Sequence, residues 1–200
     1  MGKIINDLKC RLLQEAAMVN GLPAGYSENG GVFCQANCWA IMAEALLGRG
    51  DLAWKYYKQI LPHSMIQKIG VERYHTEAYA WCSTMLGKDN EKFGWGCVSQ
   101  VAGTAAWMDV VATQYLLGIR PTLKGLLIDP SIPSDWDGYT VERLYRGHKL
   151  TIRVENPDHV QHDVKELTVS GMPLDVSAGA YITEKALADL SDVQVKVVLG

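Results

Sequence analysis

No stretch of this 200-residue sequence is both apolar and long enough to cross a bilayer as a helix. Such a helix needs roughly 18 to 20 apolar residues, and the longest apolar run, Met108 to Leu117, is broken by Asp109 and Gln114. The N-terminal segment lacks the uninterrupted apolar core of a secretory peptide, because Asp7, Lys9, Arg11 and Glu15 fall within it. There is no CxxC pair: Cys10, Cys34, Cys38, Cys82 and Cys97 are odd in number and scattered. That spacing argues against a disulfide framework or a zinc ribbon and for a reducing, cytoplasmic setting. Neither charge is in excess, with Lys+Arg 19 against Asp+Glu 22 and a formal charge of -3. There is therefore no electrostatic ground for a nucleic-acid or anionic-membrane partner. Nor is there an internal repeat long enough to suggest a solenoid.

What is present is the composition of a soluble globular protein, 48% hydrophobic and 20% charged, of a length that suits one or two domains. Ile4, Ile5, Leu8, Leu12, Ala16 and Val19 recur at helical spacing, and Asn20-Gly21 ends that stripe. A glycine-rich loop follows to Cys34. The spacing then predicts a helix from about Asn37 to Leu47, with an apolar face of Trp39, Met42, Ala43, Leu46 and Leu47. Asp51 can cap a second helix that runs to Leu61 and stops before Pro62. Further helices are predicted from Thr76 to a stop at Gly87 and from Ser99 to Leu117, where Gly118 and Pro121 close the helical part.

Beyond that point the period changes to two. Leu150, Ile152 and Val154 alternate with polar residues, as do Val193, Val195 and Val197, predicting an antiparallel β domain. The reading is therefore α then β, with domains at 1–120 and 121–200. Several helices are apolar on more than one side, as in a piece of a larger helical array.

The most informative segment is YSENGGVFCQANCW, residues 26–39. From the residues alone two readings stay open. Gly30-Gly31 can be a plain turn with Glu28 a solvated loop residue, or the loop can present Glu28 to a ligand. In VAGTAAW, residues 101–107, small residues open a helix and leave main-chain amides near Gly103 accessible to an anion, although taken alone the segment reads better as a packing glycine beside Trp107. Cys34 and Cys38 read as packed apolar residues rather than metal ligands, and no metal site is expected. His159 and His162 read as residues of a solvated loop, and Trp54, Tyr56 and Tyr57 as core in preference to a sugar-stacking platform.

Taken together, SENGGVF (27–33), AEALLGRGD (43–51), YYKQILP (56–62), ERYHTEAY (72–79), GTAAW (103–107), QYLLGIRP (114–121), LLIDPSIPSDWDGYTVERLYRG (126–147) and VENP (154–157) resemble the phosphorylases of glycoside hydrolase family 94. The resemblance implies the last helices of an (α/α)6 barrel followed by an antiparallel, β-sandwich-like C-terminal domain. It also implies reversible phosphorolysis of a β-linked glucosaccharide with inversion. Phosphate attacks the anomeric carbon while an aspartic acid protonates the leaving oxygen. Phosphate is already an anionic nucleophile, so no second carboxylate is needed to activate water. No cofactor is implied beyond phosphate as co-substrate.

Carried over residue by residue, Glu28 matches the glutamate that binds the acceptor sugar, with Ser27 and Tyr26 beside it. Ser27 stands where some members have a lysine. Gln35 falls at a phosphate-binding histidine of many members, and its amide donates without supplying charge. Gly103 matches a phosphate-binding glycine, Ala102 replaces a threonine and loses its hydroxyl, and Thr104 completes the phosphate set. The family's general-acid aspartate and phosphate-gripping arginine lie upstream of SENGG, and neither Asp7 nor Glu15 stands in a matching context. The expectation is thus a C-terminal portion of a phosphorylase, inactive alone, with no catalytic residue of its own. Its expected partners are an N-terminal part encoded upstream and a second copy in a homodimer. The alternatives are a non-catalytic carbohydrate-binding or structural remnant, and the phosphorylase-like end of a cyclic β-1,2-glucan synthase.

Overall fold

The computed structural model describes residues 21–100, 103–188 and 190–200. The helix predicted over 3–19 lies outside them. The chain divides into two compact units, one of residues 1–37 and 59–105, the other of residues 38–58 and 106–200.

The first unit contains β1 (Val32–Phe33), which leads straight into α1 (Cys34–Leu46). Its second segment follows the end of α2 (Gly50–Ile60) and holds α3 (Pro62–Ile69), α4 (Val71–Tyr74), β2 (Thr84–Met85) and β3 (Gly96–Cys97). The three short strands form one antiparallel sheet in the order β1-β2-β3. Cys34, Tyr74, Cys82 and Met85 make its small core, with Met65, Ile66 and Ile69 of α3 packed against it.

Two sequence expectations are corrected here. Pro62 does not stop a helix but opens α3, because a first-turn proline loses no intrahelical hydrogen bond. Residues 76–87 are not helical. His75 ends α4 in the left-handed region, at φ 63°, and the chain then makes a turn closed by the Ala80 N–H donating to Glu77 O before it reaches β2. Gly87, read as a helix stop, serves another purpose: a Cβ there would lie 1.9 Å from the carbonyl oxygen of Gly30. The glycine permits two backbones to meet.

In α1 the residues that are buried are Cys34, Cys38, Ile41 and Ala45. The predicted face is the exposed one, with Trp39, Leu46 and Leu47 each more than half exposed. A helix apolar nearly all round gives periodicity no face to choose, and the stripe of smaller side chains is the one that packs.

The second unit holds α5 (Thr104–Val110) from Ala106 onward and a π-helical turn, Val111–Leu116. The strands follow: β4 (Ile119–Pro121), β5 (Leu126–Ile128), β6 (Gly138–Tyr145), β7 (His148–Glu155), β8 (Val164–Val169), β9 (Met172–Leu174) and β10 (Tyr181–Ile182). A short α6 (Glu184–Leu187) then leads to β11 (Asp192–Leu199). Helices thus give way to strands at Ile119. A three-stranded sheet, β10-β5-β4, accompanies a five-stranded one, β6-β7-β11-β8-β9. Leu150, Ile152 and Val154 of β7 and Val193, Val195 and Val197 of β11 are buried as their alternation requires.

The larger sheet is not antiparallel throughout, since β11 runs parallel to β7 and antiparallel to β8. Period-two alternation fixes which face is buried and carries no information on strand direction. Asp51 does not cap its own helix either. Its carboxylate accepts from the backbone N–H of Ser134 at 2.8 Å and from the Ser134 hydroxyl, while the Asp51 N–H donates to Oε1 of Gln161 at 3.0 Å.

Candidate functional site

The SENGG segment is a tightly self-bonded loop. The N–H of Tyr26 donates to Pro23 O, that of Asn29 to Tyr26 O, that of Gly25 to Asn29 O and that of Gly31 to Ser27 O. Ser27 takes φ 43° and Gly30 φ 93°, and a Cβ on Gly31 would lie 2.6 Å from the Ser27 nitrogen. The glycine pair is therefore required by the turn itself. A second segment braces the loop from outside: Gly87 N–H donates to Gly25 O at 2.7 Å and Asn90 Nδ2 to Ala24 O at 2.7 Å.

Asn29 turns its amide onto Leu22 O, whereas Glu28 is exposed at the tip with Tyr26 and Ser27 half-buried beside it. Among the described residues no side chain bonds to or pairs with the Glu28 carboxylate. A rigid loop thus presents a solvated carboxylate whose acceptor capacity is open.

Gln35 follows in the first turn of α1, and a Cβ added at Gly103 would stand 3.1 Å from its Oε1. The structure therefore brings Gln35 and Gly103 together in one unit. Thr104 is fully buried, and its hydroxyl donates to Cys82 O at 3.3 Å. Its side-chain proton is committed, leaving Gln35 and main-chain groups as the available donors. Ala102 lies outside the described residues. Cys82, Gly87 and Asn90 were missed by sequence reasoning: Cys82 and Gly87 act through main-chain atoms, Asn90 bonds a backbone carbonyl 66 residues away, and only the glycine was visible, misread as a helix stop.

Farther along the first unit, the Glu77 carboxyl is held below the usual carboxylate range by a hydrogen bond from Ser99, and also by its own backbone and by Gln100. In the second unit Trp54 stacks on Tyr57 at 5.4 Å and meets Trp136 edge-on at 5.3 Å. These rings line an apolar cavity of about 170 Å3 with Leu116, Leu117 and Ile132. The cavity lacks the polar groups that would orient a sugar, and its rings are half-buried, neither fully core nor an open platform. Cys34 and Cys38 are buried, as packed residues should be. His162 departs from the solvated-loop reading: it is half-buried, donates from Nδ1 to Pro130 O at 2.8 Å and packs over Gly48.

Residues 9–118 match the family model of the glycosyl hydrolase 94 superfamily, catalytic domain. Residues 120–177 match that of glycosyl hydrolase family 65, C-terminal domain. N,N'-diacetylchitobiose phosphorylase of Vibrio proteolyticus is 40% identical over 176 residues, covering 88% of this chain and 21% of the relative. Solabiose phosphorylase of Paenibacillus borealis is 33% identical over 153 residues, 76% of this chain and 20% of the relative. Cyclic beta-(1,2)-glucan synthase NdvB of Rhizobium meliloti is 30% identical over 142 residues, 70% of this chain and 5% of the relative. The chain spans about a fifth of the length of the phosphorylases it matches.

Proposed function

This chain belongs to the glycosyl hydrolase 94 superfamily, and from that premise we propose that it supplies the acceptor-sugar subsite and part of the phosphate subsite of an inverting β-glycoside phosphorylase. The observation that carries this reading is the Glu28 loop, whose rigid backbone holds an exposed, unengaged carboxylate. A carboxylate in that position accepts hydrogen bonds from two sugar hydroxyls and fixes the acceptor's orientation. Tyr26 and Ser27 flank the bound ring.

Phosphate is met by the Gln35 amide and by the main chain at Gly103 and Thr104, with Ala102 contributing no hydroxyl. The donors are neutral, so charge neutralisation falls to groups outside this set. In the reaction the phosphate oxygen forms a bond to the anomeric carbon as the glycosidic bond breaks, and the departing sugar oxygen takes a proton from a general acid. Inversion converts the β-glycoside into an α-sugar 1-phosphate. No residue described above is placed to be that acid, so the isolated 200 residues are inactive. The helices of residues 1–120 belong to an (α/α)6 barrel and residues 121–200 to the β domain that follows it. Phosphate is the co-substrate and no cofactor takes part.

The test uses the chain joined to the part of the Vibrio proteolyticus relative that precedes its matching segment, assayed in the synthetic direction. α-D-glucose 1-phosphate and N-acetyl-α-D-glucosamine 1-phosphate serve as donors, with glucose and N-acetylglucosamine as acceptors. Glu28→Gln should raise the acceptor KM by about 10- to 100-fold, the worth of a charge-assisted hydrogen bond, and leave the sugar 1-phosphate KM unchanged. An equal effect on both substrates would overturn the assignment. Linear or cyclic β-1,2-linked products would instead favour the glucan-synthase alternative, which the likeness to NdvB supports.

A further inference from the structure

Cys34 and Cys82 stand 48 residues apart in sequence and bring their sulfurs to 3.7 Å, both side chains being about 2% exposed. The approach is set by the backbone. Phe33 pairs with Thr84 in the β1-β2 ladder, and the Cys34 N–H donates to Ser83 O at 2.9 Å. The two thiols are thereby held side by side at the point where strand becomes helix. Tyr74 is fully buried in the same small core, its hydroxyl donating to Ala80 O at 2.9 Å. Hydrogen bonding from Cys34 holds the Cys82 thiol below its usual value against the opposing effect of burial. A thiol held this way has more of its nucleophilic thiolate form than an ordinary cysteine.

The neighbours of the two sulfurs give the contact its consequence. Cys34 immediately precedes Gln35, and the Cys82 carbonyl accepts the Thr104 hydroxyl. Each cysteine thus belongs to one side of the place where Gln35 meets Gly103.

We propose that Cys34 and Cys82 form a redox switch, closed into a disulfide by a peroxide, that locks the Gln35 side of the phosphate subsite to the Thr104 side. Its effect on phosphate rests on the function proposed above. The chemistry of the pair does not. The Cys82 thiolate attacks one peroxide oxygen, the O–O bond breaks, and hydroxide leaves, giving a sulfenic acid. The Cys34 sulfur then displaces the sulfenic oxygen, forming the S–S bond and releasing a second hydroxide, and each of the two hydroxides takes up one of the two thiol protons. The balance is two thiols and one hydrogen peroxide giving one disulfide and two waters. The sulfurs need only close the distance from van der Waals contact to a bond, which side-chain rotation with a small backbone adjustment supplies.

The experiment treats the full 200-residue chain with hydrogen peroxide, maps peptides without reduction, and titrates inorganic phosphate calorimetrically before and after. The expected result is a peptide pair joined through Cys34 and Cys82, two hydrogens lighter than the separate thiols and reopened by dithiothreitol. Cys34→Ser and Cys82→Ser should each abolish it, and Cys97→Ser should leave it intact. Phosphate affinity should differ between the oxidised and reduced chains. Absence of the Cys34–Cys82 peptide while other cysteines oxidise would overturn the pairing. Equal phosphate affinity in the two forms would overturn the locking. If the peptide forms but neither form binds phosphate, the locking fails together with the phosphate reading of Gln35, and the dithiol chemistry stands alone.

Discussion

Glu28 is held at the tip of its loop by groups that never touch it, and Gly87 shows this most sharply. A Cβ at Gly87 would lie 1.9 Å from Gly30 O, a backbone atom that cannot swing aside. Gly87→Ala should therefore cost about 1–3 kcal/mol of stability, read as a lower urea midpoint, and should also weaken acceptor binding although residue 87 meets no sugar. An unchanged midpoint would show that the loop does not depend on this backbone approach. Asn156 in the VENP segment has a different role. It is 1% exposed, donates from Nδ2 to Trp136 O and Val160 O, and accepts from Val160 N–H. Asn156→Ala leaves three partly buried backbone groups without their side-chain partner and should cost about 1–3 kcal/mol in the same assay, with acceptor and phosphate KM values unaffected in the joined enzyme. At this scale the sequence offers candidates only where a side chain would carry the contact, as at Glu28 and Gln35. It was not legible where a main-chain atom does, as at Cys82 and Gly87, because a carbonyl leaves no mark on residue identity.

The elements divide along a similar line. Strands β7 and β11 were readable from alternation alone, because one buried face imposes a period of two. Their parallel pairing was not, since alternation carries no information on strand direction and β8, β9 and β10 intervene between them. Residues 76–87 carry Tyr79, Cys82 and Met85 at helical spacing, yet turn at 77–80 and pair through Thr84 and Met85 with β1 and β3, so tertiary pairing overrode the local pattern. The π-helical turn Val111–Leu116 likewise had no sequence signal. Its end is fixed by the Leu117 N–H donating to Ala112 O and by the Tyr139 hydroxyl donating to Leu117 O at 2.5 Å. Burial raises the Tyr139 phenol above its usual pKa. The unfolded phenol ionises near pH 10 while the folded one stays neutral. This contribution to stability is therefore complete below about pH 10 and is lost as pH rises, with a limiting slope of about 1.4 kcal/mol per pH unit. Tyr139→Phe should cost about 1 kcal/mol at neutral pH and remove that share of the alkaline slope. Denaturant titrations between pH 8 and 11 measure both, and identical slopes in the two proteins would refute the role given to this hydroxyl.

At the scale of the whole molecule, the α-then-β order and the family were legible because SENGG, GTAAW and IDPSIPSDWDG are local strings. The division into units of residues 1–37 with 59–105 and 38–58 with 106–200 was not, because each unit is assembled from separated segments. Within the second unit, Asp51, Ser134 and Gln161 tie three distant stretches together through hydrogen bonds that no local pattern announces. The functional account likewise depends on more than this chain's own groups, since it assigns the chain an acceptor carboxylate and neutral phosphate donors without a general acid. The direct measurement is phosphate release from the two sugar 1-phosphates with their acceptors, made on the 200-residue chain alone and on the same chain mixed with the preceding part of the Vibrio proteolyticus relative. The account predicts no release from the chain alone and release from the mixture that depends on Glu28. Release by the isolated chain, or from the mixture with Glu28→Gln at the wild-type rate and acceptor KM, would contradict it.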